Sequence, residues 1–312
     1  MKNTFAIEAT AVSKTFKTNN NIIKALQQFS IKITRGSIFG LLGPNGAGKS
    51  TFINILAGLV IKNSGKVSIL GIDQDNEPIL TRKKIGVVPQ ELNIDPFFTP
   101  YELLELQAGL YGIKKNKRNT LKILSDLKLI DKKNAYARSL SGGMRRRLLI
   151  AKALVHDPDV IILDEPTAGV DVELRMNLWQ YIKHLKSIGK TICLTTHYLE
   201  EAEHLCDYIT IINKGKKIVE DKKINLLNMF SKRTVNFELI EEVESFPTLI
   251  QKFIKNKNGR KLTIEYDKKE INISKIIKEL NNYGILFSDL KTHDEDLESI
   301  FLKITNDSNK EF

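Results

Sequence analysis

Ile38-Phe-Gly-Leu-Leu-Gly-Pro-Asn-Gly-Ala-Gly-Lys-Ser50 runs from five apolar residues into a glycine-rich turn, and an apolar stretch at 52–59 follows. Strand, loop and helix in that order match the phosphate-loop pattern G-x-x-x-x-G-K-[ST]. Glycine lets such a loop wrap tightly, so that successive backbone N–H groups point inward at phosphate oxygens. The helix that starts near Ser50 adds the positive end of its dipole. Gly43, Pro44, Asn45, Gly46, Ala47, Gly48, Lys49, Ser50 and Thr51 are therefore expected to hold a nucleotide. In that arrangement Lys49 supplies a mobile positive charge, and the Ser50 hydroxyl reaches Mg2+.

Further apolar runs stand at 160–163, 192–194 and 209–212, each bounded by turn or polar residues, with helical stretches between most of them. Short continuous runs of this kind fit parallel strands buried on both faces, which predicts an α/β core. Alternating segments at 5–16, 22–33 and 66–70 predict an antiparallel sheet beside it. Residues from about 91 to 140 read as mostly helical, and Thr99-Pro100 opens one helix. The nucleotide-binding part is expected to span 1–231. In the remaining residues, 232–312, Val235, Phe237 and Leu239 alternate, as do Leu262, Ile264 and Tyr266. Ile273, Ile276, Ile277 and Leu280 share a helical face, and Leu297, Ile300, Phe301 and Ile304 repeat the spacing. That pattern predicts a small accessory α+β domain with its own core.

Val160-Ile-Ile-Leu-Asp-Glu165 is an apolar strand that ends in two carboxylates. Next to a phosphate loop, Asp164 is expected in the Mg2+ shell. Glu165 then stands where it could polarise a water for in-line attack on the γ-phosphate. Leu140-Ser-Gly-Gly-Met-Arg-Arg-Arg147 adds a glycine pair at a helix start, a second anion-binding helix end in one chain.

The last run resembles the signature of ABC cassettes, and the order loop, signature, carboxylate strand is similar to theirs over about residues 5–225. The resemblance implies a P-loop NTPase cassette with a parallel core sheet, an antiparallel β subdomain and a helical subdomain. It also implies a head-to-tail dimer in which Ser141, Gly142 and Gly143 face the partner's ATP. Gln90, in Val87-Val-Pro-Gln-Glu91, resembles the glutamine loop that touches Mg2+ or the attacking water and connects to the transporter. Ala168-Gly-Val-Asp171 resembles the segment that crosses the dimer, and Asp171 is also placed to cap the next helix. His197, directly after the strand at 191–196, resembles the switch histidine on the γ-phosphate, and Phe16 the aromatic that stacks on adenine or else packs in the core.

Gly-Gly-Met-Arg-Arg-Arg and Glu165-Pro-Thr-Ala-Gly-Val-Asp look like the ABC-2 type exporter branch, and Thr195-Thr-His-Tyr-Leu-Glu-Glu-Ala-Glu203 like its YadG-like members. Asp296-Leu-Glu-Ser-Ile-Phe-Leu-Lys-Ile-Thr305 resembles that branch's C-terminal helix. The implied partner is a separate membrane permease, which in this branch chooses the cargo. Phenylalanine at 16 and valine at 170 depart from the branch's usual tyrosine and leucine.

Composition bounds the alternatives. With 42% hydrophobic and 27% charged residues the chain reads as globular. It holds no apolar run near the roughly 20 residues that cross a bilayer, and its N-terminus lacks the apolar core of a signal peptide. Cys193 and Cys206 make neither a disulfide framework nor a metal cluster. A cytoplasmic protein, peripheral on the inner face of the membrane, is expected. Residues 1–231 carry 34 basic and 22 acidic side chains, +12, whereas 232–312 carry 14 and 15, −1. The excess reads as a solvated lysine surface or as a face for phosphates and anionic lipid. No recognition motif points to nucleic acid. An ABC ATPase of DNA repair or translation is the reading from another class. Against it, Lys49 and Ser141 lie only 92 positions apart, too close for an inserted coiled coil, and the chain has one cassette. The ATPase of an uptake system is the third.

Overall fold

The computed structural model describes residues 4–17, 21–229 and 232–294, and the chain divides into two compact units, 1–222 and 223–312. The first unit opens with β1 (Phe5–Lys17), β2 (Ile22–Thr34) and β3 (Ile38–Leu42), then α1 (Lys49–Leu56), β4 (Ser64–Ile69), β5 (Ile72–Asp73), α2 (Pro78–Lys84) and β6 (Ile85–Val88). It continues through α3 (Pro100–Leu110), α4 (Thr120–Asp126), α5 (Gly142–Leu154), β7 (Val160–Asp164), α6 (Val172–Ser187), β8 (Thr191–Thr196), α7 (Leu199–Leu205), β9 (Tyr208–Asn213) and β10 (Lys216–Lys222).

The central sheet has the order β10-β9-β3-β8-β7-β6. Its strands are parallel from β9 to β6, and only β10 runs against its neighbour. Every residue of β3, β7 and β8 is buried, which is why these strands read as continuous apolar runs rather than as alternation. The expected antiparallel sheet is present in the order β2-β1-β4-β5. It shares one core with the parallel sheet, and Phe29 of β2 meets Phe52 of α1 edge to face at 5.0 Å between centroids.

The helical region at 91–140 holds α3 and α4, with one 3-10 turn between them and two more after α4. Its first helix starts at a complete capping box. The Thr99 hydroxyl accepts from the Glu102 N–H, and the Glu102 carboxylate accepts from the Thr99 N–H at 2.9 Å.

The second unit contains α8 (Lys223–Met229), β11 (Lys232–Leu239), α9 (Thr248–Gln251), β12 (Ile254–Asn258), β13 (Lys261–Asp267), α10 (Ile273–Asn282) and β14 (Phe287–Asp294). Its sheet is antiparallel in the order β12-β13-β11-β14, the arrangement of a split β-α-β fold. Val235, Phe237, Leu239, Leu262, Ile264 and Tyr266 point into its core with Ile276 and Leu280. The helix α8, placed before the boundary by sequence, groups with this unit. The helix read at 297–304 lies outside the described residues.

Candidate functional site

Sheet order, more than sequence order, assembles the site. β3, β8, β7 and β6 are successive neighbours, and their carboxyl ends run into the phosphate loop, His197, Glu165 and Gln90 respectively. Ligands of open parallel sheets bind outside such strand ends.

Between β3 and α1 the loop closes on Gly48, which sits at φ +110° immediately before the helix. Lys49, the first residue of α1, is buried and donates from Nζ to the carbonyls of Gly43 and Pro44 at 2.6 and 3.2 Å. Burial lowers its pKa, and the nearby carboxylates Glu165 and Asp164 oppose that shift. Ser50 is exposed at the same helix start, Ala47 is buried, and Asn45 and Gly46 lie on the outside of the loop.

Asp164 and Glu165 are both buried. The register that pairs Asp164 with Thr195 puts the Thr195 hydroxyl 2.5 Å from Asp164 Oδ1, to which it donates. Glu165 follows in a left-handed conformation, φ +48°, that a non-glycine residue rarely takes. Its N–H donates to the carbonyl and hydroxyl oxygens of Thr195, which hold it there. The Glu165 carboxylate then receives the Gln90 amide, Nε2 to Oε2 at 3.1 Å, and the His197 ring, with Nδ1 3.2 Å from the same oxygen. Three residues 32 to 107 positions apart thus meet at one carboxylate.

The signature residues lie elsewhere on the unit. Ser141 caps α5, its Oγ accepting from the Met144 N–H at 3.2 Å. A Cβ on Gly143 would fall 2.2 Å from Leu174 Cδ2, so a larger residue there would displace the tip of the Leu174 side chain where α5 and α6 start side by side. The Asp171 carboxylate accepts from the Leu174 N–H at 2.8 Å and caps α6. Ser141, Gly142, Gly143 and Asp171 line one open cleft of about 770 Å3. Phe16, at the end of β1, is a partly exposed ring with the Lys14 ammonium 5.0 Å above it, and so is not a core residue.

Two arrangements escaped the sequence reading. Arg146 of α5 is buried and donates to the carbonyls of Pro89 and Glu165. Glu201 of α7 is wholly buried and accepts from the Thr167 hydroxyl at 2.9 Å and the Trp179 indole at 3.2 Å. Burial pushes its carboxyl group up, against the pull of those bonds. The signal available for both was a charged residue inside a helical apolar pattern, at 146 between Met144 and Leu148 and at 201 between Leu199 and Leu205.

A loop that wraps phosphates, a buried lysine, and a carboxylate pair at the next strand ends define a nucleotide-binding cassette. The chain belongs to the ABC transporter family, whose model matches residues 26–168. Nod factor export ATP-binding protein I of Rhizobium etli is 41% identical over 227 residues, covering 72% of this chain and 70% of that protein. The protein of the same description from Cupriavidus pinatubonensis is 42% identical over 205 residues, 65% of this chain. The match spans 63% of the Cupriavidus protein, just under two thirds of its length. Among solved structures, a dimeric ATP-binding cassette in a post-hydrolysis state, bound to ADP and Pi, superposes with a TM-score of 0.63 at 30% identity. It covers 69% of this chain and 98% of that one. An ATP-binding subunit of an ABC transporter gives 0.64 at 27% identity over 72% and 93%. The fold is therefore the ABC ATPase cassette.

Proposed function

We propose that this chain hydrolyses ATP to drive an ABC-2 type exporter through a separate permease. The observation that supports it most is the convergence of Gln90 and His197 on the Glu165 carboxylate, beside Asp164 and Lys49. The loop 43–51 binds the phosphates through its N–H groups and the Lys49 ammonium. The hard oxygen donors of Ser50 and Asp164, with the Gln90 side-chain carbonyl, suit Mg2+. When bound, Mg2+ neutralises charge on the β- and γ-phosphates. Glu165 accepts the proton of the attacking water, Gln90 orients the water, and His197 contacts the γ-phosphate side. Phe16 offers its exposed face to the base.

Two copies close head to tail, so that Ser141, Gly142 and Gly143 of each meet the ATP of the other and Asp171 lies at the crossing. That a solved relative is dimeric supports the pairing of two copies. Among the described residues no helix is long and apolar enough to cross a membrane. Membrane attachment through the permease is accordingly expected. Co-fractionation with membranes should appear when an ABC-2 permease is co-expressed, and equal recovery from a strain lacking any such permease would overturn the assignment.

The residues from 232 onward regulate or stabilise and do not catalyse. They hold an apolar cluster of their own, and every phosphate, carboxylate and signature motif lies before residue 198. A chain truncated after Ser231 should stay soluble and bind ATP with similar affinity. Aggregation, or loss of ATP binding, would show the tail to be an integral part of the cassette.

A further inference from the structure

We propose that Arg146 is a positioning residue for hydrolysis, which ties the signature helix to the backbone of both Gln90's loop and Glu165. The inference rests on the hydrolytic role proposed for Glu165.

Arg146 stands one turn inside α5, the helix that Ser141 caps and whose first residues are Gly142 and Gly143. It is 3% exposed. Burial disfavours its charge, and Asp164, Glu165 and Glu201 offset that cost through space. With three carboxylates so near, an ion pair is the obvious use of a buried guanidinium. Its two terminal nitrogens instead donate to main-chain carbonyls, Nη1 to Pro89 at 2.9 Å and Nη2 to Glu165 at 3.2 Å.

These carbonyls belong to the residue before Gln90 and to the proposed base itself. The planar fork thus fixes the spacing between two segments whose side chains meet at Glu165 Oε2. It also holds the Glu165 carbonyl, while Thr195 takes the Glu165 N–H. A residue at φ +48° needs such over-determination to stay put. Because the fork is carried by α5, a shift of the signature end changes the separation of Gln90 from Glu165. Contact with the partner's nucleotide at one end of α5 is in this way sensed at the chain's own base.

The test uses the full-length chain as Arg146→Met, which fills the volume without donors, and Arg146→Lys, which keeps the charge but replaces the fork by one donor centre. Steady-state and single-turnover ATP hydrolysis are measured alone and in combination with Glu165→Gln, along with ATP binding. Outer partners of catalytic ligands are typically worth about 10–100-fold, so Arg146→Met is expected to lower kcat by about that factor with KM for ATP within about threefold. Arg146→Lys should recover part of the loss. In the Glu165→Gln background, Arg146→Met should add less than about threefold, since a residue that acts through Glu165 has nothing left to position. A purely structural defect would instead multiply with the loss from Glu165→Gln, and that result overturns the proposal, as does wild-type turnover by Arg146→Met. If the methionine variant fails to fold, Arg146→Lys carries the same readouts. Near-normal turnover by Glu165→Gln would sink the hydrolytic role itself, whereas a large loss there with a normal Arg146→Met rate sinks this inference alone.

Discussion

Glu165→Gln is expected to lower ATP turnover by about 10²–10⁴-fold, the usual worth of a general base, while ATP binding survives. The substitution keeps the side chain's size and the left-handed backbone that Thr195 holds. Its amide oxygen still accepts a hydrogen bond from Gln90, so the neighbourhood of the phosphate loop is preserved. What disappears is the capacity to take a proton, and with it one unit of negative charge near Lys49. Both changes favour retention of ATP over turnover. In the dimer proposed above, Glu165→Gln should therefore accumulate closed, ATP-loaded pairs, visible as an ATP-dependent shift to dimer in size exclusion. Turnover near the wild-type rate would remove Glu165 from the base position.

How much of this was legible beforehand follows from how local each signal is. The phosphate loop, the signature and the carboxylate strand are short runs whose spacing alone specifies their geometry, and the structure puts each at the expected strand or helix end. Buried strands were visible because both faces are apolar. β6 was not read as a strand, since Ile85-Gly-Val-Val88 is only four residues and merges with the loop to Gln90. β10 hid for the opposite reason. Lys216-Lys-Ile-Val-Glu-Asp-Lys222 lies at the sheet edge, largely solvated, and charged side chains are how edge strands avoid further pairing. Thr195 could not be assigned to Asp164 from sequence, because that contact exists only through the register of β7 with β8. Arg146 and Glu201 are likewise products of packing. Three arginines in a row look like a solvated face, and only the position of α5 against the strand ends shows that the middle one is enclosed.

Gly48→Ala is expected to weaken ATP binding by at least about 30-fold, and far more than Gly46→Ala. Both glycines have positive φ, +78° at 46 and +110° at 48, but their surroundings differ. A Cβ on Gly46 would meet nothing within 4 Å. Its penalty is the intrinsic cost of a left-handed L-residue, about 1–2 kcal/mol, part of which the exposed loop tip relieves by relaxing. A Cβ on Gly48 would lie 2.4 Å from the Ala25 carbonyl oxygen of β2 and 3.1 Å from Leu26 Cδ2. Neither can retreat easily, because Ala25 and Leu26 are buried in the sheet that packs on α1. The loop must therefore shift, and it shifts at the residue that sets the start of α1 and the place of Lys49. A distortion of about 2 kcal/mol borne only by the binding-competent loop lowers affinity about 30-fold, and the steric overlap adds to it. Titration of a fluorescent ATP analogue against the two variants and the wild type measures the difference, with thermal unfolding run alongside to establish that the cassette remains folded. Equal losses from both substitutions would show that backbone strain alone governs the loop, and wild-type affinity in Gly48→Ala would mean that the loop binds phosphate in a conformation other than the one described.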